Sequence, residues 1–527
     1  MNETASKVSP PTPASGQGAT GQSPLATGLI AGFAAVTLAI HLITAAITPY
    51  GIHRDAFLYL AMGHHLRFWR MDFPPAIGVL ANVSTALFGH SLFGVRFLPA
   101  IAGTLIIALT GLMARELGGG RLAQGLSMGA VLSCPLFLRT ATLFQPVVFD
   151  QLWWTLGFYA LIKIAQAPRS RWWLLLGAAE GLGLLTKFSI GFFALGVLLG
   201  ILLWRERAVL GTRWPYLAVL TALVIGSASI VGQVRLGFPV VIWMHDLQVH
   251  QLYRLTYGDF LFGQALQLGP ALVLAGAGLV FLLRAEAMRP YRVVGWTCLG
   301  AFMLLMLLHG KAYYIGPIYP ALLAAGAVGL ESLAVAPRRI VLGFLIPILI
   351  VWGIAVLPFG VPILPPAPMA RYAAAVGIKA AVTTNSGTQL ALPQDYADML
   401  GWKEQVAAVA RAWKQLPAAQ RAQTMLIARN YGEAGALEFY GPQYGLRQRI
   451  LMPDNYLLWP PPTNGTCNVV VTIGIPVRDL ARGFRSVRLV ETYDNPWRVN
   501  EERHVPICVA SSPFRNLIYE AWPRLKR

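Results

Sequence analysis

The sequence predicts a polytopic α-helical membrane protein that ends in a small C-terminal α/β domain. Of the 527 residues 56% are hydrophobic and only 12% are charged, whereas about 25% charged residues is typical of soluble proteins. Apolar segments close to the roughly 20 residues that a membrane span needs recur along the first two thirds of the chain. A chain with these two properties is expected to lie mostly within a bilayer.

The N-terminal residues 1–24 are predicted to be a disordered cytoplasmic tail. They are mostly Ser, Thr, Pro, Gly and Ala, which bury too little apolar surface to order a segment. They also lack the basic and then apolar layout of a cleaved signal peptide. The first apolar segment is therefore expected to remain in the protein.

Eleven apolar segments are candidate spans and together define a transmembrane domain, residues 25–361. They are centred on residues 28–48, 96–114, 122–138, 148–165, 172–186, 190–204, 214–235, 262–283, 293–308, 315–333 and 340–358. Loops with two or three arginines alternate with loops that carry a single basic residue, as the positive-inside rule predicts for a cytoplasmic N-terminus. The odd number of spans then puts the C-terminal part outside.

The formal net charge of +19 does not indicate nucleic-acid binding. The basic residues are distributed among short loops between apolar segments, whereas a nucleic-acid site would gather them into one patch.

Two connections between spans are expected to face the outer side. An outer loop at residues 49–95 contains Asp55–Trp69 and Ala76–Phe88, which mix apolar and basic residues and are predicted as helices lying in the membrane interface. Residues 236–261 are polar and aromatic.

The C-terminal domain, residues 362–527, follows a proline-rich run and is also expected outside. A helical pattern covers Lys403–Gln415, and strand-like patterns cover Thr424–Arg429, Asn468–Ile473 and Ser486–Thr492. Alternating patterns of these two kinds predict a small α/β fold.

The four cysteines are too few for a disulfide framework. Cys134 and Cys298 lie in apolar segments and are expected to be buried as small hydrophobic residues. Cys467 and Cys508 lie in the C-terminal domain, where an oxidising compartment favours one disulfide between them. Two unpaired thiols are the alternative.

Acidic residues near membrane depth are costly and usually have a function or a partner. Asp55, Asp72 and Asp150 are the main candidates on the outer side. Asp55 and Tyr59 are four residues apart and share one helix face, although Asp55 could equally cap its helix. For Asp150 the structural alternative is an ion pair with Arg139 or Lys187.

Basic and aromatic residues on the same side suit a phosphate group at the membrane surface. Arg254 offers a planar fork, Lys311 a point charge and Tyr314 a neutral donor. Ordinary anchoring in the membrane interface explains such residues too and is the simpler interpretation from composition alone.

Several other kinds of site have no sequence support. The histidines of the outer loop lack the i, i+4 spacing of a helical zinc site. No glycine-rich phosphate loop, Ser-His-Asp arrangement or CxxC pair is present. We therefore predict no metal ligands, no cofactor and no soluble nucleotide site, and leave a divalent-cation requirement open.

An ordered series of motifs resembles those of the bacterial family 39 glycosyltransferases. Segment 53–59, HRDAFLY, is similar to the R-D-E-x-Y-Y signature of that family, and segment 71–75, MDFPP, to its V-D-x-P-P motif. Further similar stretches are QPVVFDQLWW at 145–154, GLLTKF at 183–188, GKAYYIGPIYP at 310–320, LPQDYADMLGW at 392–402 and NYGEAGA at 430–436. The family belongs to the GT-C superfamily, with protein O-mannosyltransferases and the lipid A aminoarabinose transferase of lipopolysaccharide modification.

The resemblance implies an inverting enzyme of the bacterial inner membrane that transfers one sugar from a polyprenyl phosphate to a cell-envelope acceptor on the outer side. It implies three catalytic acids, Asp55, Asp150 and Asp72. It implies a donor-phosphate site at Lys187, Arg254, Lys311 and Tyr314. Arg54 and Tyr59 are expected to support the acceptor or the site.

Two positions depart from the family pattern. Ala56 stands where the family usually has Glu, and Phe73 stands where the aminoarabinose branch has Lys. A pair of adjacent acids at 55 and 56 is therefore not available here. Two other function classes remain open, namely a transporter or flippase for lipid-linked sugars, and a binding protein that recruits an envelope partner through its C-terminal domain.

Overall fold

The computed structural model describes residues 23–452, 456, 458–459 and 468–514. The predicted tail 1–24 lies almost wholly outside these residues. Cys467 also lies outside them, so the predicted disulfide with Cys508 is not tested.

The part of the chain up to residue 361 is helical. Its helices are α1 Thr27–Ile47, α2 Arg54–His64, α3 Ala76–Phe88, α4 Leu92–Glu116, α5 Arg121–Leu132, α6 Pro135–Thr140, α7 Pro146–Gln166, α8 Trp172–Thr186, α9 Ile190–Leu202, α10 Arg213–Arg235, α11 Pro239–His250, α12 Tyr257–Leu268, α13 Ala271–Arg284, α14 Arg292–Leu307, α15 Tyr319–Glu331 and α16 Val335–Gly360. Short 3₁₀ helices cover Arg207–Gly211, Leu252–Arg254, Glu286–Tyr291 and Ala312–Ile318.

Among the described residues, six helices are long and apolar enough to cross a membrane. They are Thr27–Ile47, Leu92–Glu116, Arg213–Arg235, Glu286–Leu307, Ala312–Glu331 and Val335–Gly360. The bent pair α12 and α13 makes a seventh if it is counted as one span. The chain is thus a multi-pass membrane protein. The other predicted segments are helical as well, but α8 and α9 are shorter, and the segment at 122–138 is divided between α5 and α6.

The segment predicted as a span at 262–283 is not one straight helix, because α12 and α13 meet at an angle of 109°. Gly269 ends α12 with a positive φ of 56°, a conformation that glycine adopts without strain. Pro270 follows and has no N–H to continue the helical hydrogen bonds.

The first predicted interfacial helix is shorter than expected, because α2 ends at His64 rather than at Trp69. The amides of Leu66 and Arg70 bond to carbonyls three residues back, on Gly63 and Arg67. These tight turns replace helical hydrogen bonds to the fourth residue back. The second predicted helix is confirmed as α3 with the expected bounds.

The C-terminal part is a mixed five-stranded sheet with helices. Its helices are α17 Pro366–Val376, α18 Gln394–Ala397, α19 Trp402–Lys414, α20 Ala418–Gln423, α21 Tyr431–Tyr440 and α22 Val477–Leu480, and its strands are β1 Met425–Ala428, β2 Ile450–Leu451, β3 Val469–Ile473, β4 Phe484–Asp494 and β5 His504–Pro513. The strand order is β2-β1-β3-β5-β4. β1 is parallel to β2 and β3, and β5 is antiparallel to β3 and β4.

The C-terminal part is packed directly on the loop that carries Asp55. Helix α21 crosses α2 so closely that a Cβ on Gly435 would lie 2.7 Å from main-chain atoms of Phe57. The ring of Phe57 contacts those of Trp402 and Phe439 edge-on. This contact brings residues nearly 400 positions apart into one site.

Candidate active site

Asp55 lies in the first turn of α2, with both carboxylate oxygens hydrogen-bonded. Gln145 Nε2 donates to Oδ2 over 2.9 Å, and the Tyr431 hydroxyl donates to Oδ1 over 2.7 Å. The cap of α2 is His53, whose Nδ1 accepts the amide N–H of Asp55 at 3.1 Å. The alternative in which Asp55 caps its own helix is therefore wrong.

Two lysines and two tyrosines lie near this acid. Lys187 Nζ is 4.3 Å from the ring centroid of Tyr314 and 5.5 Å from that of Tyr313. Lys311 Nζ donates to Gln251 Oε1 over 2.6 Å. Burial, followed by the neighbouring Lys187 ammonium, lowers the pKa of Lys311 to about 8, while Asp55 opposes this shift.

Tyr59 lies on the same helix as Asp55, as the spacing predicts. Burial, followed by the charge of Asp55, raises the pKa of Tyr59 well above its usual value. Its hydroxyl is therefore protonated and can donate a hydrogen bond near the acid.

Asp150 is the acid that interacts with Lys187. Its carboxylate accepts from Trp154 Nε1 at 3.2 Å and from the Ser189 hydroxyl at 2.8 Å. The positive charge of Lys187 attracts this carboxylate. Of the two ion-pair partners considered for Asp150, Arg139 pairs with Asp395 instead. The structure therefore brings together Asp55, Asp150 and both lysines.

Asp72 and Arg254 are placed differently. Asp72 is buried, and its carbonyl accepts from Gln233 of α10 at 2.8 Å. Arg254 is exposed; its Nε donates to the Tyr253 hydroxyl over 2.7 Å, and its guanidinium also donates to the carbonyl of Ser386. In the described part of the chain, the side-chain hydrogen bonds of Arg254 therefore go to Tyr253 and Ser386.

Arg54 joins α2 to the C-terminal part. Its guanidinium pairs with Asp398 at 3.5 Å and with Glu501 at 3.0 Å, and it lies 5.8 Å from the ring centroid of Tyr431. Burial raises the pKa of Asp398 to about 6, although Arg54 opposes the shift.

No role was predicted from the sequence for three residues that organise the site, namely Gln145, Tyr431 and Asp395. His53 Nε2 is 3.6 Å from Asp395 Oδ1, and Asp395 also pairs with Arg139. Burial would raise the pKa of Asp395, but Arg139 and His53 hold it well below the usual value. All three residues lie inside the motifs 145–154, 392–402 and 430–436, and those motifs were the available signal.

Two histidines of the outer loop lie against one glutamate. His64 Nδ1 is 2.9 Å and His65 Nε2 is 3.1 Å from Glu438 Oε1. Across the described residues, no group of three His, Cys, Asp or Glu side chains is arranged to hold a metal ion.

Comparison with known sequences finds a similarity over part of the chain. Residues 72–231 match the family described as Dolichyl-phosphate-mannose-protein mannosyltransferase. The chain is 31% identical over 155 residues to the undecaprenyl phosphate-alpha-4-amino-4-deoxy-L-arabinose arabinosyl transferase of Enterobacter sp. (strain 638), which covers 28% of this chain and 27% of that protein. A Pseudomonas fluorescens (strain Pf0-1) transferase of the same description is 32% identical over 151 residues, 27% of this chain and 26% of that protein. These alignments span about a quarter of the curated relatives.

Comparison with solved structures covers far more of the chain. ArnT from Cupriavidus metallidurans bound to undecaprenyl phosphate aligns with a TM-score of 0.60 at 17% identity, over 92% of this chain and 98% of that one. The apo oligosaccharyltransferase of Archaeoglobus fulgidus aligns with a TM-score of 0.51 at 11% identity, over 80% and 64%. At these identities the alignments show a shared fold.

The resemblance inferred from the motifs is confirmed. Residues 72–231 of the chain are similar to the Dolichyl-phosphate-mannose-protein mannosyltransferase family, and over 92% of its length the chain aligns with the fold of the Cupriavidus ArnT structure.

Proposed function

We propose that this protein is an inverting glycosyltransferase that moves one sugar from a polyprenyl phosphate to a cell-envelope acceptor on the outer side of the inner membrane. The observation that carries the proposal is the placement of Asp55 near Lys311, which in turn neighbours Lys187. An acid that can accept a proton there lies next to two cations that can hold a phosphate.

In the proposed reaction an acceptor hydroxyl attacks the anomeric carbon of the donor sugar. The bond from that carbon to the phosphate oxygen breaks, and its electron pair leaves with the polyprenyl phosphate. Asp55 takes the proton from the attacking hydroxyl or orients that hydroxyl. Inversion follows because the nucleophile and the leaving group occupy opposite faces of the carbon.

Stabilising the leaving phosphate requires positive charge more than a proton donor. Lys187, Lys311 and the Tyr314 hydroxyl are proposed as its main ligands. Asp150 would hold Lys187 in place through their electrostatic attraction. Arg254 is proposed to bind the donor phosphate from the exposed side, and Asp72 to support the outer loop.

We infer eleven membrane crossings, with the N-terminus cytoplasmic. Helix α7 has 21 residues and is about 32 Å long, close to the roughly 30 Å of a hydrocarbon core. At the N-terminal end of α7, Asp150 accepts a hydrogen bond from Ser189. At the C-terminal end, Gln166 donates to the carbonyl of Glu116. The arginine-rich loops lie at the helix ends on the same side as Glu116. The positive-inside rule favours that side as the cytoplasmic one.

The test is sugar transfer by the purified protein in detergent. Wild type is supplied with a panel of radiolabelled polyprenyl-phosphate sugars and with a membrane extract as acceptor. Asp55→Asn is run beside Asp479→Asn, which removes a carboxylate that pairs only with nearby Arg478 and Arg482 among the described residues.

Label that moves to a new species with wild type and Asp479→Asn, but not with Asp55→Asn, supports the enzyme and identifies its donor. If no donor is used and the protein instead moves labelled lipid between leaflets of a vesicle, the transporter is correct. If Asp55→Ala preserves function in cells, the binding protein is favoured.

A further inference from the structure

The N-terminus of α21 is fixed by a capping box. The Asn430 side chain accepts from the amides of Gly432 and Glu433 at 3.0 and 3.1 Å. The Glu433 carboxylate accepts from the amide of Asn430 at 3.3 Å, and Asn430 Nδ2 donates to Glu502 over 2.7 Å. The capping box and the bond to Glu502 therefore fix the position of Tyr431, the first residue of the helix.

The same helix is pressed against α2 at two glycines. A Cβ on Gly432 would lie 2.6 Å from Arg54 Cγ, and a Cβ on Gly435 would lie 2.7 Å from main-chain atoms of Phe57. No other residue type permits this separation of the helices. At this separation the Tyr431 hydroxyl reaches Asp55 Oδ1 at 2.7 Å.

We propose that Tyr431 is a positioning residue of the active site, and that the C-terminal part completes the catalytic centre by holding the Asp55 carboxylate in one orientation. This inference rests on the proposed function. Tyr431 is not proposed to touch the sugar or the phosphate; it acts through Asp55.

The hydrogen-bond inventory explains what the contact achieves. Tyr431 occupies one acceptor position on Oδ1, and Gln145 occupies one on Oδ2. A carboxylate has about four such positions, so one on each oxygen remains for an acceptor hydroxyl. With both oxygens held, the carboxylate cannot rotate, and those two positions keep a fixed direction.

The test compares two tyrosines of α21. Tyr431→Phe removes the hydroxyl that bonds Asp55, whereas Tyr440→Phe removes a hydroxyl from the other end of the helix and keeps the ring contact with Phe57. We expect kcat to fall about 10- to 100-fold for Tyr431→Phe, as misplacement of a reacting group predicts. The donor KM should stay within about twofold of wild type, because the phosphate ligands are unchanged.

A second pair of variants alters the helix separation. Gly435→Ala should push α21 away from α2 and lower kcat like Tyr431→Phe. Gly276→Ala in α13, where an added Cβ meets nothing within 4 Å, should leave kcat unchanged. Unchanged kcat for Tyr431→Phe overturns the inference, and unchanged kcat for Gly435→Ala contradicts the role of the helix separation.

A thermal-unfolding cycle reports the contact without relying on transfer. Tyr431→Phe, Asp55→Asn and the double variant should shift the melting temperature non-additively, because contacting residues are coupled; additive shifts contradict the contact. Wild type that is inactive with every donor refutes the proposed function together with this role. Active wild type with an equally active Tyr431→Phe refutes this role alone.

Discussion

A group of charged residues lies at each end of the helical region, one around Glu116 and the other around Asp55. The two groups differ in how their lysines are paired. On one end Glu116 is buried, and its carboxylate accepts from Arg115 at 3.1 Å and from Lys163 at 2.8 Å. Gln166 donates to the same carboxylate at 3.3 Å. Each charge of this cluster has a protein partner, and the cluster joins α4 to α7.

On the other end, where Asp55 lies, Arg54 and Arg139 are paired with acids, and the two lysines differ from them. In the described residues neither Lys187 nor Lys311 forms an ion pair; one lies over tyrosine rings and the other donates to an amide. Asp55 is held by neutral donors. Placing two partly buried ammonium groups side by side is unfavourable unless an anion joins them, so the difference supports the proposed phosphate site at these lysines.

The acids of the two ends should respond in opposite ways. We expect Asp55→Asn to reduce transfer about 10²- to 10⁴-fold, the range of general acid–base catalysis, with little loss of stability. Glu116→Gln should retain transfer per folded molecule and lower the melting temperature, because Lys163 and Arg115 lose a buried partner. Initial rates and thermal unfolding of the purified variants check both. Activity of Asp55→Asn above about a tenth of wild type would remove Asp55 as the central acid.

The lysines provide a second contrast. Lys311→Gln and Lys187→Gln should each lower kcat/KM about 100-fold, since each removes charge that stabilises the leaving phosphate. Lys163→Gln should instead destabilise the protein by about 3 kcal/mol and preserve kcat/KM. Equal effects of all three variants on kcat/KM would show that the two ends do not differ in function.

The pH dependence refines the same comparison. Lys311 is charged below its pKa of about 8 and neutral above it, so donor binding should weaken as the pH rises through 8. We expect kcat/KM, which reports the free enzyme, to fall about fivefold between pH 8 and pH 9. In Lys311→Arg this alkaline limb should move to higher pH, because arginine stays protonated. An identical limb in wild type and Lys311→Arg would assign the titration to another group.

Arg254 should give the smallest effect. Its exposed guanidinium already contacts Ser386 and Tyr253, and exposed charge pairs contribute about 0.2–1 kcal/mol. Arg254→Ala should therefore raise the donor KM about two- to fivefold with kcat unchanged. Steady-state kinetics with varied donor measures this, and Arg235→Ala, which removes an exposed arginine at the end of α10, is the control. An unchanged donor KM would remove Arg254 from the phosphate site.

Hydrophobic patterning predicted where the helices lie, and it could not predict how they bend or end. Each predicted apolar segment is helical, but hydropathy alone merged the residues on both sides of Gly269 into one span. Strand β5 was missed because Pro506 lies near its start, and proline counts against a central strand. Its pairing with β3 on one side and β4 on the other depends on long-range contacts that local patterns do not contain.

The candidate site was likewise predicted from the sequence only in part. Spacing placed Asp55 and Tyr59 on one helix face, and the motifs identified Asp150, Lys187 and Lys311. Neither kind of signal could show that Tyr431 meets Asp55, because the two residues are 376 positions apart. That contact depends on the close crossing of α2 and α21, which only the folded chain shows.

The distance along the chain between Asp55 and Tyr431 has a consequence for biosynthesis. At about 5–20 residues per second, a ribosome needs roughly 20 to 75 s to make the 376 residues that separate them. During that interval the acid has emerged without its tyrosine partner. The nascent protein can therefore insert its early helices well before its catalytic centre exists, and a product truncated before residue 431 would enter the membrane without an assembled site.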